Sequence, residues 1–290
     1  MQRRPPLFIL GESRSGKSLL VSLLARHPQT CWFSQWSDRY PQVPMLPLLN
    51  RFRSEQLDAN GVFHTRPDDS RPWPPHPVEG VRIYHDYCRL VYDRQVNEET
   101  LTEKQTRRLR RVIANHCFWT GRPLFINDQS ANIQRLRQMM AIFPEARFIH
   151  VIRDGRDVAW EMMQRSWWEE AQFWWRGLKT RAWKKAGRQP LLLAGLHWKI
   201  SIETVRAQAA VLGPRYLEIR YEALIKQTRE TLLAATAHAQ IAVDGHWLNT
   251  VPRQINRLTP PWHETMPQCQ QLLFNERFGR TLDALGYKRQ

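Results

Sequence analysis

The residues best equipped for chemistry lie near the start of the chain, in Gly11-Glu12-Ser13-Arg14-Ser15-Gly16-Lys17-Ser18. The spelling is G-x-x-x-x-G-K-S. The two glycines let the backbone curl so that successive N–H groups point inward, and a helix beginning at the lysine adds the positive end of its dipole. Phosphate or sulfate oxygens fit such a cradle. Lys17 would set its ammonium on a terminal phosphate or sulfate group, Arg14 would reach a bridging or terminal oxygen, and Ser18 would bind phosphate or a metal. Ser13, Ser15 and Gly16 complete the anion-binding positions.

A cradle of this kind has to be held between a strand and a helix. The apolar run from Leu7 to Leu10 predicts a buried strand, and apolar residues at helical spacing from Lys17 to Arg26 predict the helix. His27-Pro28 ends that helix, and Thr30 to Ser34 is a short strand candidate. Tyr40 to Pro47 and Thr65 to Pro77 are rich in proline, densest at Arg71-Pro72-Trp73-Pro74-Pro75-His76-Pro77, which predicts an irregular excursion facing the substrate or solvent. Helical spacing returns from Val81 to Val96 and from Glu98 to His116, with capping chemistry at Asn97-Glu98-Glu99-Thr100. Pro123 to Asn127 reads as a strand, Ile133 to Ile142 as a helix and Arg147 to Ile152 as a strand, together a parallel βαβ unit. Asp157 to Lys185 has a helical pattern, with Trp160, Trp167 and Trp174 spaced to share one face with Trp168 and Trp175 beside them. That face suits core packing, an apolar acceptor or a membrane surface. Gly195 to Leu212 predicts a further helix, Arg215 to Tyr221 the last core strand, and helices fill the chain to Tyr287. The expected architecture is α/β: a single P-loop-like domain spanning residues 1–290, with a central parallel sheet flanked by helices and an irregular insertion around residues 40–80.

With 290 residues and 42% hydrophobic content the chain can bury a sizeable core. Its formal net charge of +16 favours anionic partners, and the phosphate cradle directs that preference to a nucleotide rather than to nucleic acid, leaving contact with a membrane surface open. Cys31, Cys88, Cys117 and Cys269 lie far apart without C-x-x-C pairing, so neither a zinc site nor a disulfide framework is expected. The first strand begins too early to leave room for an apolar signal segment, and no stretch approaches a membrane span, so a cytoplasmic protein is expected.

Three segments in order resemble the sulfotransferase superfamily, whose members move a sulfuryl group from 3′-phosphoadenosine 5′-phosphosulfate (PAPS) to a hydroxyl or amine. Gly11 to Leu20, followed by Ala25-Arg26-His27-Pro28, resembles the 5′-phosphosulfate loop of the bacterial and tyrosylprotein branch, usually G-x-x-R-S-G-T-T-L-L before a helix ending in H-P. Phe143 to Val158, containing Arg153-Asp154-Gly155-Arg156-Asp157, is similar to the family's 3′-phosphate-binding strand and helix. Tyr216 to Leu224 is similar to a structural strand of the fold. The resemblance implies a PAPS-dependent transferase in which Arg14 and Lys17 clamp the transferring group and Arg153 binds the 3′-phosphate.

Four positions depart from the pattern. Lys17 replaces the usual first threonine. Glu161 stands where the family places a serine on the 3′-phosphate, Gln35 stands where the tyrosylprotein branch carries its catalytic glutamate, and Gln129 replaces a lysine after the second core strand. Gln35 cannot take the acceptor proton at neutral pH, so Asp38, His27 and His85 are the substitutes to weigh, with Asp38 taken as the catalytic candidate. A carboxylate about 4 Å from a phosphate costs on the order of 4 kcal/mol at an effective dielectric of 20. Arg153 would offset this by pairing with Glu161, at the cost of being partly withdrawn from the ligand. The second reading is an ATP- or GTP-dependent kinase or NTPase: Lys17 and Ser18 would serve the triphosphate and Mg²⁺, Asp128 would hold the metal, and Glu161 would accept from a free ribose hydroxyl. The third is a binding protein that keeps the fold without the activity.

Overall fold

The computed structural model describes residues 3–52, 75–90, 101–175, 177, 179–257 and 259–289. Five strands, β1 (Leu7–Leu10), β2 (Thr30–Cys31), β3 (Leu124–Asn127), β4 (Arg147–Ile152) and β5 (Tyr216–Arg220), form one sheet in the order β2-β3-β1-β4-β5. Every pairing is parallel, with Leu7 opposite Ile126 on one side and Arg147 on the other, and Phe148 opposite Tyr216. Burial on both faces explains why β1, β3 and β4 read as continuous apolar runs rather than alternating ones.

The helices are α1 (Lys17–Ala25), α2 (Gln35–Arg39), α3 (Glu103–Thr120), α4 (Leu136–Ile142), α5 (Gly155–Met163), α6 (Thr180–Lys185) and α7 (Pro190–Ala209). After β5 come α8 (Tyr221–Lys226), α9 (Thr228–His238), α10 (Gly245–Thr250), α11 (Trp262–Thr265) and α12 (Gln268–Ala284). Helices α1 and α8 to α10 cover one face of the sheet, and α3 and α4 the other. Helices α5, α7, α11 and α12 pack around Trp198 and Phe274 in a third cluster. The chain leaves β1 toward β2 on one side, and from β3 it crosses over β1 to reach β4 on the other. The two loops therefore splay apart at β1 and leave a crevice at the carboxyl ends of the strands, the usual ligand position in such sheets.

The expected βαβ unit is present with β1 inserted between its two strands, because the crossover through α4 spans one strand width more than the minimum. The strand expected over Thr30 to Ser34 pairs only at Thr30 and Cys31; Ser34 instead bridges Pro77 and caps α2. A single π-helical turn, Ile83–Tyr87, replaces the helix expected from Val81, and residues 91–96 lie outside the described residues. Helix α3 starts later than expected, capped by Thr102, whose hydroxyl accepts from Gln105 N while the Gln105 side chain returns the bond. The cap expected at 97–100, and residues 65–74 of the proline-rich stretch, also lie outside the described residues. Ser130–Ile133 forms a 3₁₀ turn ahead of α4.

The long helix expected over Asp157 to Lys185 is instead α5, a 3₁₀ turn at Trp168–Glu170 and α6. Trp168 and Phe173 both enter the third cluster, yet on a straight helix of 3.6 residues per turn they would stand about 140° apart. The chain breaks so that both can be buried. The shared indole face disappears with the helix: Trp167 is 42% exposed, whereas Trp168 is buried. No helix among the described residues is long and apolar enough to cross a membrane.

Gly195 in α7 lets α12 approach closely, since a Cβ there would fall 2.3 Å from Phe278 Cε2 and 2.9 Å from Phe274 Cε2. Alanine gains about 1 kcal/mol of helix propensity over glycine but overpacks a filled contact at about 1–3 kcal/mol. Gly195→Ala is therefore expected to lower the urea midpoint, and an unchanged or raised midpoint would show that α12 yields.

Candidate active site

Four strands deliver functional side chains to one edge: β1 ends at the loop Gly11 to Gly16, β3 at Asp128, β4 at Arg153 and β5 at Tyr221. Gly16 sits at φ 93°, and the Tyr221 ring lies where its Cβ would be, 2.3 Å away, so only glycine closes this turn. Arg14 is also left-handed, at φ 72°, a strain of order 1 kcal/mol that turns its carbonyl and side chain toward β4. Glu12 fastens the loop from below: its carboxylate accepts from Ser13 N at 2.7 Å, from Ser201 Oγ at 2.7 Å and from His197 Nε2 at 3.0 Å. His197 Nδ1 in turn accepts from Trp175 Nε1. Burial by itself would raise the Glu12 pKa, but these partners hold it down at about 2.

Lys17 is buried and spends its three donors on Glu79 Oε1 (2.6 Å), the Asp128 carbonyl (2.6 Å) and Ser130 Oγ (2.9 Å). Burial would lower its pKa, and the charges of Glu79 and Asp128 reverse the shift and raise it. Ser130 closes the circuit by donating its hydroxyl and its backbone N–H to Glu79. Ser18 Oγ donates to Asp128 Oδ2 at 3.0 Å. Burial and the neighbouring Glu79 raise the Asp128 pKa against the pull of Lys17.

The second charge group centres on Glu161. Its Oε1 accepts from Arg153 Nη2 at 2.6 Å and from the Thr259 hydroxyl, and its Oε2 accepts from Arg14 Nε at 2.9 Å, with Arg14 Nη2 in ion-pair contact at 2.8 Å. Both oxygens are thus held by cations. Burial would raise the Glu161 pKa, and Arg153, Thr259 and Arg14 together bring it below the usual value. Arg153 also donates to the Arg14 carbonyl at 2.9 Å and lies 4.4 Å over the Tyr221 ring. Its Nε is buried without a hydrogen-bond partner among the described residues, 3.7 Å from Asp157 Oδ2, which Arg257 holds at 2.7 Å.

Ser13, Arg14, Gly16, Lys17, Ser18, Arg153 and Glu161 all line one cavity of about 270 Å³, together with Glu79, Ser130, Tyr221 and Thr259. Ser15 does not line it; its hydroxyl turns toward Gly11, within 2.5 Å of where a Cβ would be, and has no hydrogen-bond partner among the described residues. Asp38 is not brought to the cavity either: its carboxylate accepts from Ile83 N at 3.0 Å and holds the π-helical turn. His27 is buried behind α1, with Nε2 on the Ala242 carbonyl and Nδ1 on Gln29 N, and His85 pairs with Asp86 at the surface. Gln35 accepts from His76 N, and Gln129 caps the Ser130–Ile133 turn. Glu79, Ser130, Arg257 and Thr259 have no signal in the sequence beyond being polar residues between regular elements, and Tyr221 reads there as part of the last core strand without a role at the site.

The low pKa of Glu12 fixes the sign of an acid effect. Its stabilisation is complete above its ordinary value of 4.5 and is lost as pH falls toward about 2. About 3 kcal/mol is expected to disappear over that window. Urea titrations at acidic and neutral pH should show the loss in the wild type and a flatter profile in Glu12→Gln.

The model of the sulfotransferase family matches residues 5–245 of the chain. Among solved structures, the sulfotransferase STF9 from Mycobacterium avium superposes with a TM-score of 0.61 at 16% identity, covering 99% of this chain and 78% of that one. The sulfotransferase STF1 from Mycobacterium tuberculosis H37Rv gives 0.61 at 16% identity, covering 97% and 77%. No curated protein matches by sequence. The structural likenesses share the fold, and the family match, spanning the cradle, β4 and β5, decides against the triphosphate alternative: the chain belongs to the sulfotransferase family and is a sulfuryl transferase.

Proposed function

We propose that the protein takes its sulfuryl group from PAPS and passes it to a hydroxyl or amine acceptor, acting in the cytoplasm. The observation that carries this reading is the convergence of Arg14, Lys17 and Arg153 on one cavity at the mouth of the glycine cradle. Two features of the site fit the donor. The turn at Gly16 leaves no room for a side chain between the loop and Tyr221, so backbone N–H groups can approach an anion closely. Among the described residues, the buried Nε of Arg153 has no hydrogen-bond partner, which leaves the guanidinium donor capacity for a phosphate oxygen. PAPS supplies the activated sulfuryl group. Lys17 and Arg14 stabilise charge gathering on the departing phosphate, the largest demand of such a transfer.

Glu161 sets the terms at the other end of the donor. A 3′-phosphate reaching Arg153 must take over bonds that this carboxylate now holds. Glu161→Ser is therefore expected to strengthen binding of adenosine 3′,5′-bisphosphate (PAP, the desulfated product) by about tenfold or more, about 1.4 kcal/mol being one decade. The same change strips two arginines of their shared counter-charge, so the ligand-free variant should unfold at lower urea and PAP should restore it.

Arg153→Ala should weaken PAP far more than adenosine 5′-phosphate, which lacks the 3′-phosphate. Equal losses in calorimetric titrations would make Arg153 a structural partner of Glu161 and remove the support for PAPS. Lys17→Ala should abolish transfer from PAPS while leaving the far-ultraviolet circular dichroism unchanged; turnover at the wild-type rate would overturn the role given to the cradle.

A further inference from the structure

Position 35, where a carboxylate would be expected to take the acceptor proton, holds an amide, and the structure shows what that amide does. Gln35 Oε1 accepts from His76 N at 3.0 Å. Beside it, Ser34 bridges Pro77, and Val78 N donates to the Phe33 carbonyl at 2.8 Å. Three successive contacts therefore lay residues 76–78 along the segment between β2 and α2, and the next residue is Glu79. Its carboxylate arrives 2.6 Å from Lys17 Nζ, inside the cavity that the cradle opens into.

Glu79 differs from every other carboxylate around the cradle in its access. Its side chain is 33% exposed, against 6% for Asp128, 7% for Glu161 and 11% for Glu12. Its bonds are also unevenly shared: among the described residues Oε1 accepts from Lys17 and from the Ser130 hydroxyl, whereas Oε2 accepts only from Ser130 N at 3.1 Å. One oxygen is anchored and the other has acceptor capacity to spare. Asp128 and Glu161 lack that exposure, and both oxygens of Glu161 are already held by arginines.

Ser130, which touches both Glu79 oxygens, also lines a second cavity of about 360 Å³. That cavity is walled by Met162, Trp167, Phe173 and Trp174 and floored by Glu12 of the cradle. An aromatic acceptor entering it would meet the cradle at Ser130, next to the Glu79 carboxylate.

We propose that Glu79 is the general base of the transfer, replacing from a neighbouring loop the carboxylate that position 35 lacks, and that its acceptors are phenolic. This rests on the PAPS reading. The acceptor O–H proton passes to Glu79 Oε2 as the acceptor oxygen forms its bond to sulfur. The bond from sulfur to the bridging phosphate oxygen breaks, and its electron pair stays on the phosphate of PAP, beside Lys17 and Arg14. Lys17 keeps Glu79 ionised at rest, and each bond from Lys17 that a sulfate oxygen takes over returns the carboxylate toward ordinary basicity.

The test compares wild type and Glu79→Gln with PAPS as donor and two acceptors, phenol and 4-nitrophenol, in weakly alkaline buffer where the second is largely ionised already. A base matters only for an acceptor that still carries its proton. The expected loss is about 10²- to 10⁴-fold with phenol and under about tenfold with 4-nitrophenol. Calorimetric binding of PAP should be no weaker than in wild type, because the amide competes less for Lys17 than the carboxylate does. Equal losses with both acceptors, or PAP binding lost together with turnover, would make Glu79 a positioning partner of Lys17 and overturn the proposal alone. A wild type that binds no PAP overturns the PAPS reading, and this proposal with it.

Discussion

Lys17 is only 4% exposed, and an ammonium so deeply set is tolerable only beside counter-charges. Glu79 and Asp128 supply them, and the same need repeats a few residues away, where Glu161 joins Arg14 to Arg153. Three cations and two carboxylates thus line one cavity, with Asp128 beside Lys17 just outside it as a third carboxylate. The site at rest is already matched in charge, and donor binding is an exchange of partners rather than the filling of a positive hole. Affinity is then the difference between two strong sets of charge-assisted hydrogen bonds, so removing a carboxylate that competes with the ligand can matter as much as removing a cation that binds it.

Tyr221 ties the two charge groups to the scaffold. As the first residue after β5, it packs its ring against Gly16 on one side and beneath the Arg153 guanidinium on the other, 4.4 Å from the ring centre. Displacing it would disturb the cradle and the arginine together. Glu12 plays the equivalent part below the loop, joining Ser13 to Ser201 and His197 of α7. The geometry of a six-residue loop is therefore set by β5 and α7, elements some two hundred residues away in the chain.

What could be read from the sequence follows from this division. Strands β1, β3 and β4 and the cradle were legible because their signals are local: apolar runs buried on two faces, and glycines where the backbone must turn. The pairing of Arg153 with Glu161 could also be anticipated, because the two lie eight residues apart on one strand-to-helix turn. Glu79 could not, being 62 residues from Lys17 and brought there by a loop with no periodicity. Thr259, 98 residues from Glu161, is hidden for the same reason. The tryptophan-rich segment failed differently. Heptad spacing suggested one face of one helix, but the bulk of Trp168 and Phe173 could be buried together only by breaking the helix. Asp38 lies three residues from Gln35, yet its carboxylate accepts from Ile83 N; nearness along the chain says little about which carboxylate reaches a cavity.

The matched site also changes the meaning of the chain's net charge of +16. Little of that excess resides at the site, where Glu79, Glu161 and the adjoining Asp128 offset Arg14, Lys17 and Arg153, so it is carried largely by the surface, for example by Arg107 and Arg111 on the outer side of α3. Surface charge acts at range and is screened over roughly 8 Å at physiological ionic strength; it gathers anions without choosing among them. The cavity does the choosing, because an anion that enters must replace Glu79 on Lys17 or Glu161 on the arginines with equal geometry. A small anion can satisfy one of these groups. Only a ligand with negative charge at both ends of a nucleotide can satisfy both, so the internal carboxylates that weaken binding are also what makes the site selective.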